Sequence, residues 1–144
     1  MYAPSSALAP AIGCRLLRAQ AQWHVFPGKP DSLIRFWLTF ERAGTFGFHV
    51  GENTAALAVL AEQADVDADM AQYGRLMVRE AGPGDPPARA IGQVLLGVDD
   101  LHGPAPARTP TAARLRFESV DICAADYDDD LCWALGELPV GSAT

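Results

Sequence analysis

The chain has 144 residues, a net charge of -7 and a pI near 4.7. This length fits one ordinary domain, and a hydrophobic content of 49% is typical of a globular protein rather than a disordered chain. The acidic balance argues against binding to nucleic acid or to an anionic membrane, and no stretch approaches the roughly 18 uninterrupted apolar residues of a membrane-spanning helix.

Residues 1–12 are predicted to form a flexible arm, because proline and serine are dense in this segment. The following residues, 13–140, are predicted to fold as a single α+β domain. Its first strand is expected to begin between residues 14 and 22 and to end near Phe26, before a turn rich in proline and glycine.

Residues 33–50 are predicted to form a β-hairpin at the centre of a mainly antiparallel sheet. Apolar residues occupy every second position on both sides of a turn at 42–45, as two strands with one buried face require. A helix over 33–42 is the alternative, but the aromatic and β-branched content favours the hairpin. The alternating apolar residues are Ile34, Phe36, Leu38, Phe40, Phe46, Phe48 and Val50.

Two helices are predicted to pack against this sheet, at about 54–64 and 127–135. Asn53 is a good N-cap for the first helix, whose residues are mostly strong helix formers. The second helix is predicted because acidic residues favourably oppose the macrodipole at a helix start, and Gly136 can end it.

Three further strands and one loop are predicted between these helices. The strands are expected at 75–80, 90–98 and 113–123, the last with a bulge where its apolar phase changes, and the proline-rich loop at 102–110.

The densest charge lies near the C-terminal end of the chain, where Asp126, Asp128, Asp129 and Asp130 fall within five residues. Residues 1–50 contain five basic and two acidic residues, whereas residues 51–144 contain six basic and sixteen acidic ones. The aspartate spacing resembles that of a calcium-binding loop, but Leu131 stands where such a loop needs glycine. The cluster therefore predicts an acidic helix start, with no metal and no cofactor.

The first functional hypothesis is a non-enzymatic acidic binding protein that engages a basic protein partner, as a toxin-neutralising immunity protein or an acidic chaperone does. No catalytic residue is assigned, and a homodimer is left open. The predicted binding surface combines steering carboxylates with side chains enriched at interface hot spots. Its residues are Asp126, Asp128, Asp129, Asp130, Trp133, Trp37 and Arg35.

The alternative hypothesis is a small-molecule binding domain or a small enzyme. Its pocket would lie between the hairpin sheet and a helix, where an apolar wall with a few polar groups suits a ligand. The predicted lining residues are Phe36, Phe40, Phe46, Phe48, Tyr73 and His49.

Three cysteines at irregular spacing, Cys14, Cys123 and Cys132, fit neither a disulfide framework nor a metal-binding motif. A reducing compartment, the cytoplasm, is therefore the predicted location.

Overall fold

The computed structural model describes residues 3–50, 57–101, 112–127 and 130–136. These residues form two antiparallel sheets and four short helical segments. The strands are β1 (Leu16–Val25), β2 (Ser32–Phe40), β3 (Gly44–Val50), β4 (Leu57–Ala61), β5 (Ala68–Asp69), β6 (Arg75–Glu80), β7 (Leu95–Leu101), β8 (Ala112–Phe117), β9 (Asp121–Tyr127) and β10 (Asp130–Leu135). The helical segments are α1 (Pro4–Ala7) and 3-10 helices at Ala9–Ala11, Ala71–Tyr73 and Pro86–Ala90.

One sheet has six strands in the order β4-β3-β2-β1-β6-β5, and the other has four in the order β10-β9-β8-β7. The long strand β1 links the two sheets. β6 and the segment that leads into β7 both bond to the same side of the chain at β1, one after the other. The amide of Ala81 donates to the carbonyl of Ala19 at 2.9 Å, where β6 leaves, and the amide of Gly92 donates to the carbonyl of Leu16 at 2.8 Å, where the chain returns. The two sheets are therefore joined at one corner.

Aromatic residues fill the space between the two sheets. Phe36 stacks on Phe48 within the six-stranded sheet, with ring centroids 4.3 Å apart. Across the gap, Phe40 stacks on Phe117 at 6.4 Å, and Phe36 meets Trp133 at 5.3 Å. Buried residues of both sheets belong to one hydrophobic cluster, so the described residues form a β-sandwich.

The central hairpin predicted at 33–50 is confirmed. β2 and β3 pair antiparallel with Phe36 opposite Phe48 and Leu38 opposite Phe46. These four side chains are at most 3% exposed, which is the buried face that the alternation predicts.

The α+β fold class is wrong, because both predicted helices are replaced by strands. Of the helix predicted at 54–64, residues 57–61 form β4, which pairs with β3, while 54–56 lie outside the described residues. The burial follows the period of a strand: Leu57 and Val59 are buried and Leu60 is 53% exposed. Pairing with a sheet edge overrides the helical propensity of alanine and leucine here, because propensity is a weak preference.

The helix predicted at 127–135 is likewise wrong, since residues 130–135 form β10 and pair with β9. The single strand predicted at 113–123 is in fact two, β8 and β9, joined by a tight turn in which the amide of Phe117 donates to the carbonyl of Val120. The change of apolar phase that suggested a bulge marks a reversal of the chain. The proline-rich loop predicted at 102–110 lies outside the described residues.

Residues 3–11, within the segment predicted as an arm, carry α1 and a 3-10 helix packed on the sandwich. Leu8 and Ala11 are fully buried, and the amide and hydroxyl of Ser5 donate to the carboxylate of Asp100 on β7. This end of the sandwich is therefore covered by the start of the described chain.

An extended segment, residues 62–67, crosses the outer face of the six-stranded sheet from β4 to β5, and we call it the strap. It contacts the strands one after another. Glu62 lies against Gly47 of β3, Asp65 reaches β2 and β1, and the carboxylate of Asp67 accepts from the amide of Val78 on β6 at 2.7 Å. The strap thus covers a sheet face with polar contacts, and its first three residues, 62–64, belong to the segment predicted as a helix.

Among the described residues, no helix is both long and apolar enough to cross a membrane.

The inter-sheet contacts predict a large loss of stability for Phe36→Ala. Phe36 is 1% exposed and contacts both Phe48 and Trp133, so the expected decrease in the free energy of unfolding is about 3–5 kcal/mol. Urea denaturation measures it. Leu60→Ala, on the exposed side of β4, is the control and should cost less than about 1 kcal/mol. Equal losses in the two variants would contradict the shared core.

Candidate functional site

Two members of the acidic cluster lie on paired strands, Asp126 on β9 and Asp130 on β10, where Asp130 pairs with Tyr127. The side chain of Asp130 is exposed, whereas Asp126 is only 8% exposed. Asp128 and Asp129 lie outside the described residues. Of the four predicted steering carboxylates, Asp130 is therefore the one that the structure places in solvent.

The two predicted tryptophan anchors occupy different environments. Trp133 is half-buried on the inner face of β10, where its ring meets Trp23 edge to face at 5.8 Å as well as Phe36. Trp37 points to the outer face of its sheet but is only 1% exposed, and its indole nitrogen has no hydrogen-bond partner among the described residues. Neither ring is presented freely to a partner.

Polar contacts join the strap to side chains on the face of the sheet that carries Trp37. Arg35 on β2 forms an ion pair with Asp65 at 3.2 Å, and the amide of Gln22 on β1 donates to the same carboxylate at 3.5 Å. At the start of the strap, the carboxylate of Glu62 contacts His49 on β3. Arg35 and His49 therefore have acidic partners within the chain.

The phenylalanines of the predicted ligand pocket lie in the core of the sandwich. Phe36, Phe40, Phe46 and Phe48 are at most 3% exposed and contact one another or the opposite sheet. Their predicted second wall, a helix at 54–64, is the strand β4. Tyr73 lies away from them, 66% exposed on the connection between β5 and β6.

Two clefts open at the end of the six-stranded sheet where β2 begins. The first, which we call the polar cleft, has a volume of about 370 Å³ and brings three residues of the sequence hypotheses together, Arg35, His49 and Asp130. Arg35 and His49 both contact acids of the strap, so Asp130 shares the cleft with an arginine that is already in an ion pair. The remaining lining is apolar: Leu33, Ile34, Val50 and Leu131.

The second cleft, which we call the aromatic cleft, has a volume of about 410 Å³ between the β1–β2 connection and the β5–β6 connection. The ring nitrogen Nε2 of His24 lies 2.6 Å from the carbonyl oxygen of Tyr73 and joins the two connections. The ammonium group of Lys29 lies 5.8 Å from the ring centroid of Phe26. The lining residues are His24, Phe26, Lys29, Pro30, Ser32, Met70 and Tyr73.

Sequence reasoning did not identify the aromatic cleft, because its two walls are 40 residues apart in the chain. A local signal was nevertheless present. Lys29 is the chain's one lysine, and it stands in a proline-glycine turn three residues after Phe26. A single lysine beside an aromatic residue at a turn indicates one wall of the aromatic cleft. The other wall is brought next to it by the pairing of β1 with β6.

The cysteines are free thiols. Burial raises the pKa of the Cys132 thiol, and the carboxylates of Asp130 and Asp126 raise it further. Burial also raises the pKa of Cys123, against the opposing effect of its hydrogen bond with Arg114. Thiols in this state are weak nucleophiles at neutral pH.

Comparisons with protein-family models, with curated proteins and with solved structures gave no match for this chain.

Asp130→Asn is predicted to speed alkylation of Cys132 at pH 7.5. Removing the carboxylate lowers the thiol pKa and raises the thiolate fraction, by about twofold because a surface charge acts through a high dielectric. Mass spectrometry of the Cys132 peptide after timed iodoacetamide treatment measures the rate. Glu41→Gln, on the β2–β3 turn, is the control, and an unchanged rate in Asp130→Asn would place the carboxylate away from the thiol.

Gly74→Ala is predicted to destabilise the fold more than Gly28→Ala. Both glycines have positive φ, 93° and 79°, which strains an alanine at either position, and Gly74 also has a ψ of -152°, a conformation essentially confined to glycine. At Gly74 the added Cβ would also lie 2.5 Å from the carbonyl oxygen of Val25, whereas at Gly28 it meets nothing within 4 Å. Urea denaturation of both variants measures the difference, and equal losses would contradict the prediction.

Proposed function

We propose that this chain is a non-enzymatic binding protein that engages a basic protein partner through the β9–β10 hairpin and the adjoining polar cleft, as a toxin-neutralising immunity protein or an acidic chaperone does. The observation that carries the proposal is the exposed carboxylate of Asp130 at the mouth of a cleft with apolar walls. Asp128 and Asp129 precede it in the sequence, and no basic residue occurs from Ser119 to Thr144.

The charges around the polar cleft support an acidic contact surface. Arg35 forms an ion pair with Asp65 of the strap, and His49 contacts Glu62, so the positive charge of Arg35 is already matched before a partner arrives. Asp130 forms no ion pair within the described part of the chain. Asp130 therefore leaves a negative potential at this surface, because no cation among the described residues pairs with its carboxylate. A negative potential speeds the approach of a cationic partner.

Apolar side chains in the lining of the polar cleft, rather than the two tryptophans, are proposed to contact the partner. Trp37 is 1% exposed and the ring of Trp133 packs against Phe36, so neither side chain is presented to a partner. Leu33, Ile34 and Val50 are half-buried and line the cleft, where a partner's side chain would complete their burial. Arg35, which lines the cleft and pairs with Asp65, is included in the proposed contact surface.

The cytoplasm remains the proposed location, and the free state of the three thiols supports it.

Exchange of two hairpin carboxylates, Asp128→Asn with Asp130→Asn, is predicted to weaken capture of a basic protein. The purified chain, immobilised at low salt, is used to capture partners from host lysate, and a captured protein is then purified for binding kinetics. The association rate constant should fall about tenfold in the double variant and lose most of its salt dependence, because steering acts mainly on association.

The matched control is Asp67→Asn with Asp69→Asn, which has the same spacing and the same change in charge. In the control, each asparagine keeps an oxygen for the backbone amides of Val78 and Ala71 that these carboxylates bind. Association should remain unchanged. Equal association by the hairpin variant and the native chain would exclude the hairpin as the contact surface.

A further inference from the structure

The aromatic cleft is built by two chain connections that the fold holds together. Gly74 allows this, because its positive φ of 93° and its missing side chain let the β5–β6 connection lie against Val25, His24 and Phe26. A Cβ at this position would lie 3.1 Å from both the His24 ring nitrogen and the Phe26 ring. The β5–β6 connection therefore packs closely against the residues at the end of β1.

The same wall contains a residue in a costly conformation. Ala71 has a positive φ of 53°, which is rare for a residue other than glycine. The carboxylate of Asp69 accepts from the Ala71 amide at 2.8 Å and holds it there. This turn presents Met70 and Tyr73, which are 37% and 66% exposed, to the cleft. Local strain that displays apolar side chains to solvent is typical of a binding site.

The cleft also holds an available cation. Lys29 forms no ion pair with any residue that the structure describes, although the chain as a whole carries seven excess negative charges. The acid nearest to it in sequence, Asp31, pairs with Arg79 at 3.2 Å instead. No carboxylate is found among the described residues that line the cleft. Lys29 is therefore free to bind an anion from outside.

We propose that the aromatic cleft binds a small organic carboxylate with an apolar body about the size of a ring system. The Lys29 ammonium donates to the carboxylate, while Phe26, Met70 and Tyr73 flank the body. The volume of about 410 Å³ lies within the range of roughly 300–1,000 Å³ that is usual for small-molecule sites. This site is separate from the hairpin surface and goes beyond the proposed engagement of a basic protein.

The test uses three probes with the same ring and different charge: indole-3-acetate, indole-3-acetamide and tryptamine. Each is titrated into the full chain, and the amide chemical shifts of His24, Lys29 and Gly74 are followed by NMR. Indole-3-acetate should give saturable shifts at these residues with a dissociation constant of about 1 mM or tighter, as is usual for a ligand of this size. The neutral and cationic probes should bind at least about tenfold more weakly.

Four variants assign the roles within the cleft. Lys29→Met should weaken binding of indole-3-acetate about tenfold, because the charge-assisted hydrogen bond is lost while the length of the side chain is kept. Arg89→Met removes a positive charge from the exposed Arg89 outside the cleft and should leave binding unchanged. Tyr73→Ala should weaken binding, and Tyr73→Phe should retain it.

Three results would overturn the proposal: no saturable shift up to about 10 mM indole-3-acetate, equal affinity for the three probes, or equal weakening in Lys29→Met and Arg89→Met. The second would show apolar adhesion without recognition of an anion, and the third a general charge effect. Because the hairpin carboxylates are unchanged in all four variants, failure here leaves the binding of a basic protein to be judged on its own experiment.

Discussion

The structure depends on the packing of the β2–β3 hairpin against the four-stranded sheet. Phe36 and Phe40 project from one strand and meet Trp133 and Phe117 of the opposite sheet. This contact is non-local, since it joins residues about 80 to 100 positions apart, and it draws β8 and β10 over the hairpin. Burial of this much aromatic surface is a dominant favourable term in folding. The positions of the strap and the clefts follow from it.

Once the inner face of the six-stranded sheet is buried, its outer face still carries Trp37, which is too large and apolar to leave in solvent. The strap crosses this face, where Glu62 contacts His49 and Asp65 forms an ion pair with Arg35. That ion pair matches the positive charge of Arg35 in the polar cleft, whereas Asp130 forms no ion pair within the described residues. One packing requirement thereby shapes the electrostatics of the proposed contact surface.

The hairpin at 33–50 could be predicted from sequence because its alternation is strict and both of its strands are local. The segments at 57–61 and 130–135 could not, because short apolar runs rich in alanine and leucine suit a helix or a buried strand, and only distant partners decide between them. For 57–61 the deciding partner is β3, and for 130–135 it is β9 together with Phe36. Three residues of the polar cleft, Arg35, His49 and Asp130, were named individually from sequence, but their convergence depends on these pairings. The aromatic cleft depends on the pairing of β1 with β6, which no local pattern reports.

The central claim is that residues 130–135 form a strand whose Trp133 packs on Phe36, so that the two sheets share one core. The most direct measurement is the set of nuclear Overhauser contacts from the Trp133 ring in the isotope-labelled chain. The structure predicts contacts to the rings of Phe36 and Trp23, together with cross-strand contacts to Ala124. Medium-range contacts between residues three and four apart across 130–135, without any contact to Phe36, would indicate a helix. They would contradict the fold on which both proposed sites rest.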